Sequence, residues 1–365
     1  MIAYFRSAGP IVLLSAIALL EIEMTFEKIL EFVEECYLAI LHRRPREEEK
    51  NRWAKAVESG LTPVELLRRF RESPEFLRKN RIKIYAPPGH YYSPVVDPET
   101  VHAYHDRELA EDSESLLGVP LDVAQMAKLW SRWRETLART NFSKLGGSGT
   151  RFYVDNGNFP FGDAAVLRAT IAEARPRQII EIGSGNSTAC MLDALDEFDL
   201  ITTHLTCIEP NPGRLMSLLR PGDKEKMHIF EQPVQDVSLE KFERLERGDI
   251  LFIDSTHVLK TASDVHYELF HILPALQEGV LVHFHDCPYP FEYPKKWVTT
   301  DNKSWNEVYA VRAFLMYNKV FQVRFWMTLF AKQFRSEVEN TLPLALAPPV
   351  GSGLWLSRTS ENLRS

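Results

Sequence analysis

The hydrophobic pattern separates the first part of the chain from the rest. Between residues 25 and 83, apolar positions recur at helical spacing and charged residues fill the other positions, which is typical of amphipathic helices. FEKILEFVEECYLAILHRRP predicts one helix that ends near Pro45, and REEEKNRWAKAVESG predicts a second. Thr62, Pro63 and Glu65 predict the capped start of a third. The pattern therefore predicts an all-α bundle.

Beyond residue 150 the pattern changes to short apolar runs that alternate with helical segments. This alternation predicts an α/β domain over residues 151–365, with a mostly parallel sheet covered by helices. Residues 84–150 contain prolines, tyrosines and a predicted helix near 121–140, so we expect a linker with cover helices. The predicted strands are 178–183, 205–209, 228–231, 250–254 and 279–285, followed by late strands near 320–326 and 353–358.

An apolar run, GPIVLLSAIALL, occupies residues 9–20, with Arg6 before it and Glu21 after it. The run is too short to span a bilayer as a helix. It resembles the core of a signal peptide but lacks a convincing small-residue cleavage site. For residues 1–24 the alternatives are secretion or anchoring, a helix packed on the body, and an extension upstream of a natural start at Met24.

Composition favours an ordinary globular protein. Hydrophobic residues make up 45% and charged residues 25% of the 365 residues, so a sizeable core can form. The net charge of -7 argues against nucleic-acid binding, which needs a basic surface. The four cysteines are scattered without a CxxC pair, so we expect reduced thiols in a cytoplasmic protein. A homo-oligomer is compatible with this composition.

A glycine turn joins the first predicted strand to a helix in QIIEIGSGNSTACML. Gly183 and Gly185 remove side chains that would block a ligand at the strand end, and a helix opening near Asn186 favours a negative group. Several nucleotide sites share this layout, but Thr188 stands where a dinucleotide motif has its third glycine. Glu209 ends the next strand, where an acid can bind both ribose hydroxyls. The alternative for Glu209 is a plain strand-end acid.

Polar residues also follow the fourth and fifth predicted strands. Asp254 ends one strand and His257 follows it, while His283, His285 and Asp286 end the next. Ligands collect at the carboxyl ends of strands in open α/β sheets. Asp254, His285 and Asp286 suit a site for Mg, Mn, Fe or Zn. Without a metal, His257, His283 or His285 would act as general base, and a buried structural cluster is the third alternative.

Residues 152 to about 334 resemble a class I S-adenosylmethionine-dependent methyltransferase. EIGSGNST is similar to the first motif of that family, VQDV to its adenine segment, and FPFGDAAVL to a segment of a bacterial small-molecule and sugar O-methyltransferase subfamily. The resemblance implies a Rossmann-like sheet of seven strands, mostly parallel, and S-adenosylmethionine as cofactor. The implied cofactor contacts are Glu181, Gly183, Ser184, Gly185, Asn186, Ser187, Glu209, Gln235, Asp236, Asn156 and Asp163. For Asp236 a helix cap is an equal alternative.

Two further resemblances concern the metal and the N-terminal helices. Metal-dependent O-methyltransferases of this kind carry an acid after the fourth strand and an acid pair after the fifth. Here the pair is His285–Asp286, a departure that favours a softer divalent ion or none. YLAILHRRP, Trp53 and SGLTPVELLRRF are similar to a helical module of unknown function found in bacterial surface and glycan-related proteins.

The expected activity is O-methylation of a hydroxyl on a sugar, glycan or secondary metabolite, with Asp254, His257 and His285 as catalytic residues. The alternatives are an NAD-dependent dehydrogenase and a non-enzymatic scaffold that retains a nucleotide-type fold. Tyr91 and Tyr92 are candidates for a lid. The loop after the fifth strand is rich in aromatic residues, which either wall the acceptor site or simply cover the sheet edge: Tyr289, Phe291, Tyr293, Trp297 and Trp305.

Overall fold

The computed structural model describes residues 25–80, 85–110, 116–147 and 149–359. The chain divides into two compact units, Met1–Pro87 and Pro88–Ser365. The apolar run considered for residues 1–24 lies outside the described residues. In the described ranges, every helix is too short or too polar to cross a lipid bilayer.

The first unit is a small bundle of helices. Thr62 begins the third of them as the sequence predicts, because its hydroxyl accepts a hydrogen bond from the Glu65 amide at 3.2 Å. Apolar side chains from several of these helices meet in one core that includes Val33, Leu66 and Phe70. The helices are Phe26–Cys36, continued by a π-helical turn at Tyr37–Leu41, then Glu47–Glu58, Pro63–Glu72 and Pro74–Asn80.

The second unit contains a seven-stranded sheet with helices on its faces. Its strands are β1 Gln178–Ile182, β2 His204–Ile208, β3 Met227–Phe230, β4 Ile250–Ile253, β5 Leu281–Phe284, β6 Phe321–Trp326 and β7 Leu354–Arg358. Its helices are Pro98–Ala110, Val123–Ala138, Phe161–Ala174, Asn186–Glu197, Gly213–Leu218, Glu240–Glu243, Asp264–Tyr267, Leu273–Ala275, Lys295–Thr299, Glu307–Leu315, Met327–Gln333 and Arg335–Thr341. A π-helical segment, Glu268–Ile272, joins two of them, and short 3-10 turns lie at Lys224–Lys226, Val234–Asp236 and Pro343–Leu346.

The strand order is β3-β2-β1-β4-β5-β7-β6. The first five strands pair in parallel, whereas β7 pairs antiparallel with both β5 and β6. The mostly parallel, Rossmann-like sheet predicted from the sequence is thereby confirmed. Because β4 lies between β1 and β5, the residues that follow these three strands emerge at one edge of the sheet.

The predicted elements differ from the observed ones mainly at their ends. Gly183, Asp254 and His285 were assigned to strands but lie just beyond them, in the turns that leave the sheet. Between the two late strands, two short helices, Met327–Gln333 and Arg335–Thr341, meet at Phe334. The helix Pro98–Ala110 begins inside the proline-rich segment because the Asp97 carboxylate accepts a hydrogen bond from the Glu99 amide at 3.0 Å.

The main core lies between the sheet and its helices. Phe161–Ala174 is buried on nearly all faces, since it packs between Val123–Ala138 and Asn186–Glu197. Ahead of this helix, Arg151 forms a buried ion pair with Asp223 and a second one with Asp193. These pairs attach the segment before residue 152 to the body of the second unit.

Candidate active site

The glycine turn after β1 lies directly against the end of β4. Gly183 has a φ of +80°, and a Cβ at this position would collide with the carbonyl oxygen of Asp254. The Asp254 amide in turn donates to the Ile182 carbonyl at 2.9 Å. Only glycine permits this close approach, so the turn and the Asp254 carboxylate share one edge of the sheet.

Glu181 is buried beneath the glycine turn. Its carboxylate accepts hydrogen bonds from the Ser187 hydroxyl at 2.6 Å and from the Thr188 hydroxyl. Burial raises the pKa of Glu181 to about 7, although these hydroxyl donors oppose the shift. Thr188 also accepts from the Gly185 amide at 3.0 Å. Thr188, which stands where a dinucleotide motif has its third glycine, therefore links the glycine turn and β1 to the helix Asn186–Glu197.

Glu209 connects the glycine turn to the end of β2. Its carboxylate accepts from the Ser184 amide at 3.2 Å and from the Asn211 amide at 2.7 Å. The side chain is half-buried, so it combines fixed geometry with a face open to a ligand. Its position beside the glycine turn is the one expected of a ribose-binding acid.

The two residues considered for adenine lie in the turn Val234–Asp236. The side-chain amide of Gln235 donates through Nε2 to the Ala262 carbonyl at 2.8 Å, and Asp236 is exposed. Asp236 makes no helix cap, because its own amide donates to Pro233 within a single 3-10 turn.

Asn156 and Asp163 have polar partners within the protein. The Asn156 amide group bonds to Tyr153 and Phe159 and closes its own turn. Asp163 is 2% exposed and accepts from the Ser352 and Gly353 amides at 2.9 Å each. Burial raises its pKa. The polar atoms of Asn156 and Asp163 therefore already have hydrogen-bond partners within the protein.

A cluster of two carboxylates and two imidazoles follows β4 and β5. His285 Nδ1 lies 3.4 Å from Asp254 Oδ1 and 3.4 Å from Asp286 Oδ1. His257 Nε2 lies 3.5 Å from Asp254 Oδ1 and 3.9 Å from Asp286 Oδ2. The imidazoles are buried, whereas 31% of the Asp254 side chain and 18% of the Asp286 side chain are exposed. A ligand at the rim therefore meets the carboxylates first.

The charged groups in this cluster strongly shift one another's pKa values. Burial would raise the pKa of Asp254, but His285 and His257 outweigh it and hold this pKa well below its usual range. Burial would lower the pKa of His257, yet Asp254 and Glu307 raise it to about 10. Asp286 and Asp254 likewise raise the pKa of His285 against burial. The neighbouring carboxylates therefore favour the protonated form of both imidazoles.

His283 does not join this cluster. Its ring stacks on Phe252 at 4.1 Å and contacts Trp355 at 4.7 Å. It is 1% exposed, and burial holds its pKa well below the usual value. Neither ring nitrogen has a hydrogen-bond partner among the described residues. Of the histidines considered as bases, His283 is thus a neutral side chain in the core.

The sequence analysis missed Glu307, which lies 50 positions from His257. Glu307 is 2% exposed, and its Oε2 lies 2.7 Å from His257 Nδ1. The amides of Asn306 and Glu307 both donate to the His257 carbonyl, at 3.1 and 3.2 Å. The start of the helix Glu307–Leu315 therefore fixes the ring and the backbone of His257, which has a φ of +60°.

The aromatic loop after β5 separates into two parts. Phe291 and Tyr293 are each 1% exposed and belong to the core, while Tyr289 packs against Trp326. Trp297 and Trp305 are half-buried, and the Trp305 ring lies 4.3 Å from the His257 ring. Tyr91 and Tyr92 are exposed and stack with His90.

Comparison with known proteins agrees with this layout. Residues 180–287 match the family model of a methyltransferase domain, and residues 28–80 match DUF4214, a domain of unknown function. An uncharacterised protein from Archaeoglobus fulgidus is 31% identical over 170 residues, which are 45% of this chain and 75% of that protein.

Several solved methyltransferase structures are also similar. The O-methyltransferase TomG from Streptomyces achromogenes, in complex with SAM, is 14% identical with a TM-score of 0.36 and covers 73% of this chain and 100% of its own. CmcI in its Mg-SAM form is 18% identical with a TM-score of 0.33 and covers 78% and 100%. At such scores the fold assignment rests instead on the strand order and the family-model match.

Proposed function

Since the chain belongs to the class I S-adenosylmethionine-dependent methyltransferases, we propose that it transfers a methyl group to a hydroxyl oxygen of a small-molecule or glycan acceptor. One observation carries the proposal: the glycine turn after β1 and the Asp254 carboxylate lie against each other at one edge of the sheet. A cofactor on the turn would then present its methyl group to the polar cluster after β4 and β5.

The cofactor would lie along Gly183–Ser187, with its ribose hydroxyls on Glu209. Glu209 is held by the Ser184 and Asn211 amides, so its orientation is set before a ligand arrives. Gln235 and Asp236 are proposed to border the adenine. Asn156 and Asp163 would shape the pocket from behind, because their polar atoms already have partners in the protein.

The polar cluster has the donor set of a divalent metal site. Asp254, His285 and Asp286 form the proposed set, and His257 adds a fourth donor with Glu307 behind it. Two atoms bound at about 2.1 Å to one ion lie roughly 3.4 Å apart at the tetrahedral angle, and neighbouring donors here are 3.4 to 3.9 Å apart. Neither His285 nitrogen has a hydrogen-bond partner in the described part of the chain.

No three such side chains in the described ranges form a closed metal site as they stand. Binding would therefore move the donors slightly towards one another. The alternative, a histidine base without a metal, is disfavoured by the raised pKa values of His257 and His285, because an imidazolium has no lone pair for a proton. A bound divalent ion would displace these protons and lower the pKa of a nearby hydroxyl.

The chain itself contributes mainly alignment. Asp254 accepts a hydrogen bond from the acceptor hydroxyl and holds its oxygen in line with the methyl–sulfur axis. The oxygen forms a bond to the methyl carbon as the carbon–sulfur bond breaks, which leaves S-adenosylhomocysteine and releases the hydroxyl proton to solvent.

Calorimetry with S-adenosylhomocysteine and with NAD tests the proposal. We expect the first to bind, and its affinity to fall in Glu209→Ala but not in Glu231→Ala, which removes another acid at a neighbouring strand end. Binding of NAD alone would make the protein a dehydrogenase. Binding of neither ligand by folded protein would favour a scaffold.

A further inference from the structure

The two half-buried tryptophans of the aromatic loop, Trp297 and Trp305, enclose a lysine. Lys303 Nζ lies 4.3 Å from the centre of the Trp297 ring and 4.1 Å from the centre of the Trp305 ring. The two rings are 5.6 Å apart and nearly perpendicular, at 75°. The ammonium therefore lies in a corner formed by two indoles, where cation–π attraction holds it in place.

This corner adjoins the proposed reaction centre. The same Trp305 ring that contacts Lys303 lies 4.3 Å from the His257 ring. The intervening backbone is also fixed, because the Lys303 amide donates to Trp297 at 2.8 Å and the Ser304 hydroxyl accepts from the Val96 amide at 3.1 Å. Trp297, Lys303 and Trp305 thus form a preorganised wall beside His257.

The ammonium of Lys303 lacks an anionic partner among the residues that the structure describes. Within the described residues, Lys303 makes cation–π contacts but no ion pair or side-chain hydrogen bond. An aromatic face attracts the charge but accepts none of the three N–H groups in the way a carboxylate does. These donors therefore remain free for a ligand oxygen.

We propose that Trp297, Lys303 and Trp305 form an acceptor subsite for a ring, either a sugar or a phenol, that carries an anionic group. The ring would pack on the indoles and the anion would bind Lys303. Because Lys303 would bind the anion, the neutral hydroxyl end of the ring would face Asp254 and Asp286. Charge would thereby fix which hydroxyl receives the methyl group. This inference rests on the proposed function.

Binding of matched probes to the protein saturated with S-adenosylhomocysteine tests the subsite. One pair is catechol and 3,4-dihydroxybenzoate, and the other is glucose and glucuronate, so the two arms separate phenols from sugars. In the pair whose ring fits the subsite, we expect the anionic member to bind about tenfold more tightly than the neutral one. The reason is that its carboxylate gains a charge-assisted hydrogen bond from Lys303. Lys303→Met should remove this preference, and Trp305→Leu should weaken both members of the pair.

Lys296→Met is the matched control, since it removes an exposed lysine from the same segment and should leave the preference intact. Lys303→Gln replaces Lys303→Met if the latter fails to fold. The subsite is rejected if neither pair binds, if the anionic members have no advantage, or if Lys303→Met retains it. In each of these cases, continued binding of S-adenosylhomocysteine would leave the proposed function standing.

Discussion

The edge of the sheet where the candidate site lies has two halves, one after β1 and β2 and one after β4 and β5. The two halves differ in the partners of their carboxylates. Glu181 accepts hydrogen bonds from two hydroxyl groups and Glu209 from two backbone amides, all at 3.2 Å or less. Asp254 and Asp286 instead face imidazole nitrogens at 3.4 to 3.9 Å, beyond ordinary hydrogen-bond distance. The first half is complete without a ligand, whereas the second is an arrangement of charges that a cation would complete.

The largest expected effect concerns the second half. Asp254→Asn keeps the shape of the side chain but removes the charge that orients the acceptor hydroxyl, so methyl transfer should fall about 10²- to 10³-fold. The measurement is formation of S-adenosylhomocysteine with the acceptor that the wild type uses. Affinity for S-adenosylhomocysteine should stay within about threefold, since the proposed cofactor contacts lie in the other half. Unchanged turnover would remove Asp254 from the chemistry.

The next effect is a pH dependence that belongs to Glu181. Its pKa is raised to about 7 in the folded protein, so the folded state holds a proton that the unfolded chain releases at lower pH. Stability from this group is full below the unfolded pKa of about 4.3 and is lost as pH rises to about 7, by up to about 3 kcal/mol. Denaturant melts between pH 4.5 and 7.5 should show this fall in the wild type and a flatter profile in Glu181→Gln.

A smaller loss is expected at Glu209. Glu209→Gln retains one acceptor oxygen, whereas Glu209→Ala removes both, so the alanine variant should bind S-adenosylhomocysteine more weakly by about 2 kcal/mol. The glutamine variant should lie between it and the wild type. Equal affinities for all three proteins in calorimetry would show that the ribose binds elsewhere. That result would also weaken the view of the β1–β2 half as the cofactor half.

The smallest expected effect is on divalent-ion affinity, and it tests the role of Glu307. Glu307→Gln still accepts a hydrogen bond from His257 Nδ1 but lacks the charge, so divalent-ion affinity should fall about 10-fold, and somewhat more in Glu307→Ala. Competition with a chelator, followed by elemental analysis, gives these affinities directly. A structural role alone would lower thermal stability and leave the ion affinity per folded molecule unchanged. Wild-type protein that retains no divalent ion in this assay would exclude the metal.

The sheet and the glycine turn could be predicted from the sequence because their signals are local. Most strands are short and largely apolar, and Gly183 and Glu209 mark where two of them end. The residues that support the site give no such signal. Glu307 and Asp163 are ordinary acids near the starts of helices, and they meet His257 and the Ser352 amide only after the chain has folded over 50 and 189 positions.

The aromatic loop shows the same limit. Its composition predicted a cover or an acceptor wall, but composition does not distinguish Tyr293, which is 1% exposed, from Trp305, which is half-buried. Likewise, His283 and His285 are two positions apart, a spacing that in a regular strand puts both side chains on one face. The two differ because His283 is flanked by Phe252 and Trp355, whereas His285 lies past the strand end beside two acids.

The position of β7 has a consequence for synthesis on the ribosome. This strand inserts between β5 and β6, and the Ser352 and Gly353 amides that precede it hold Asp163, whose Oδ2 lies 3.6 Å from His285 Nε2. While residues up to 340 have emerged and the rest have not, β5 has an open edge and β6 has no neighbour. We therefore expect the edge of β5 to stay open to wrong strand pairing, and Asp163 to lack its two amide partners, until β7 has left the ribosomal exit tunnel.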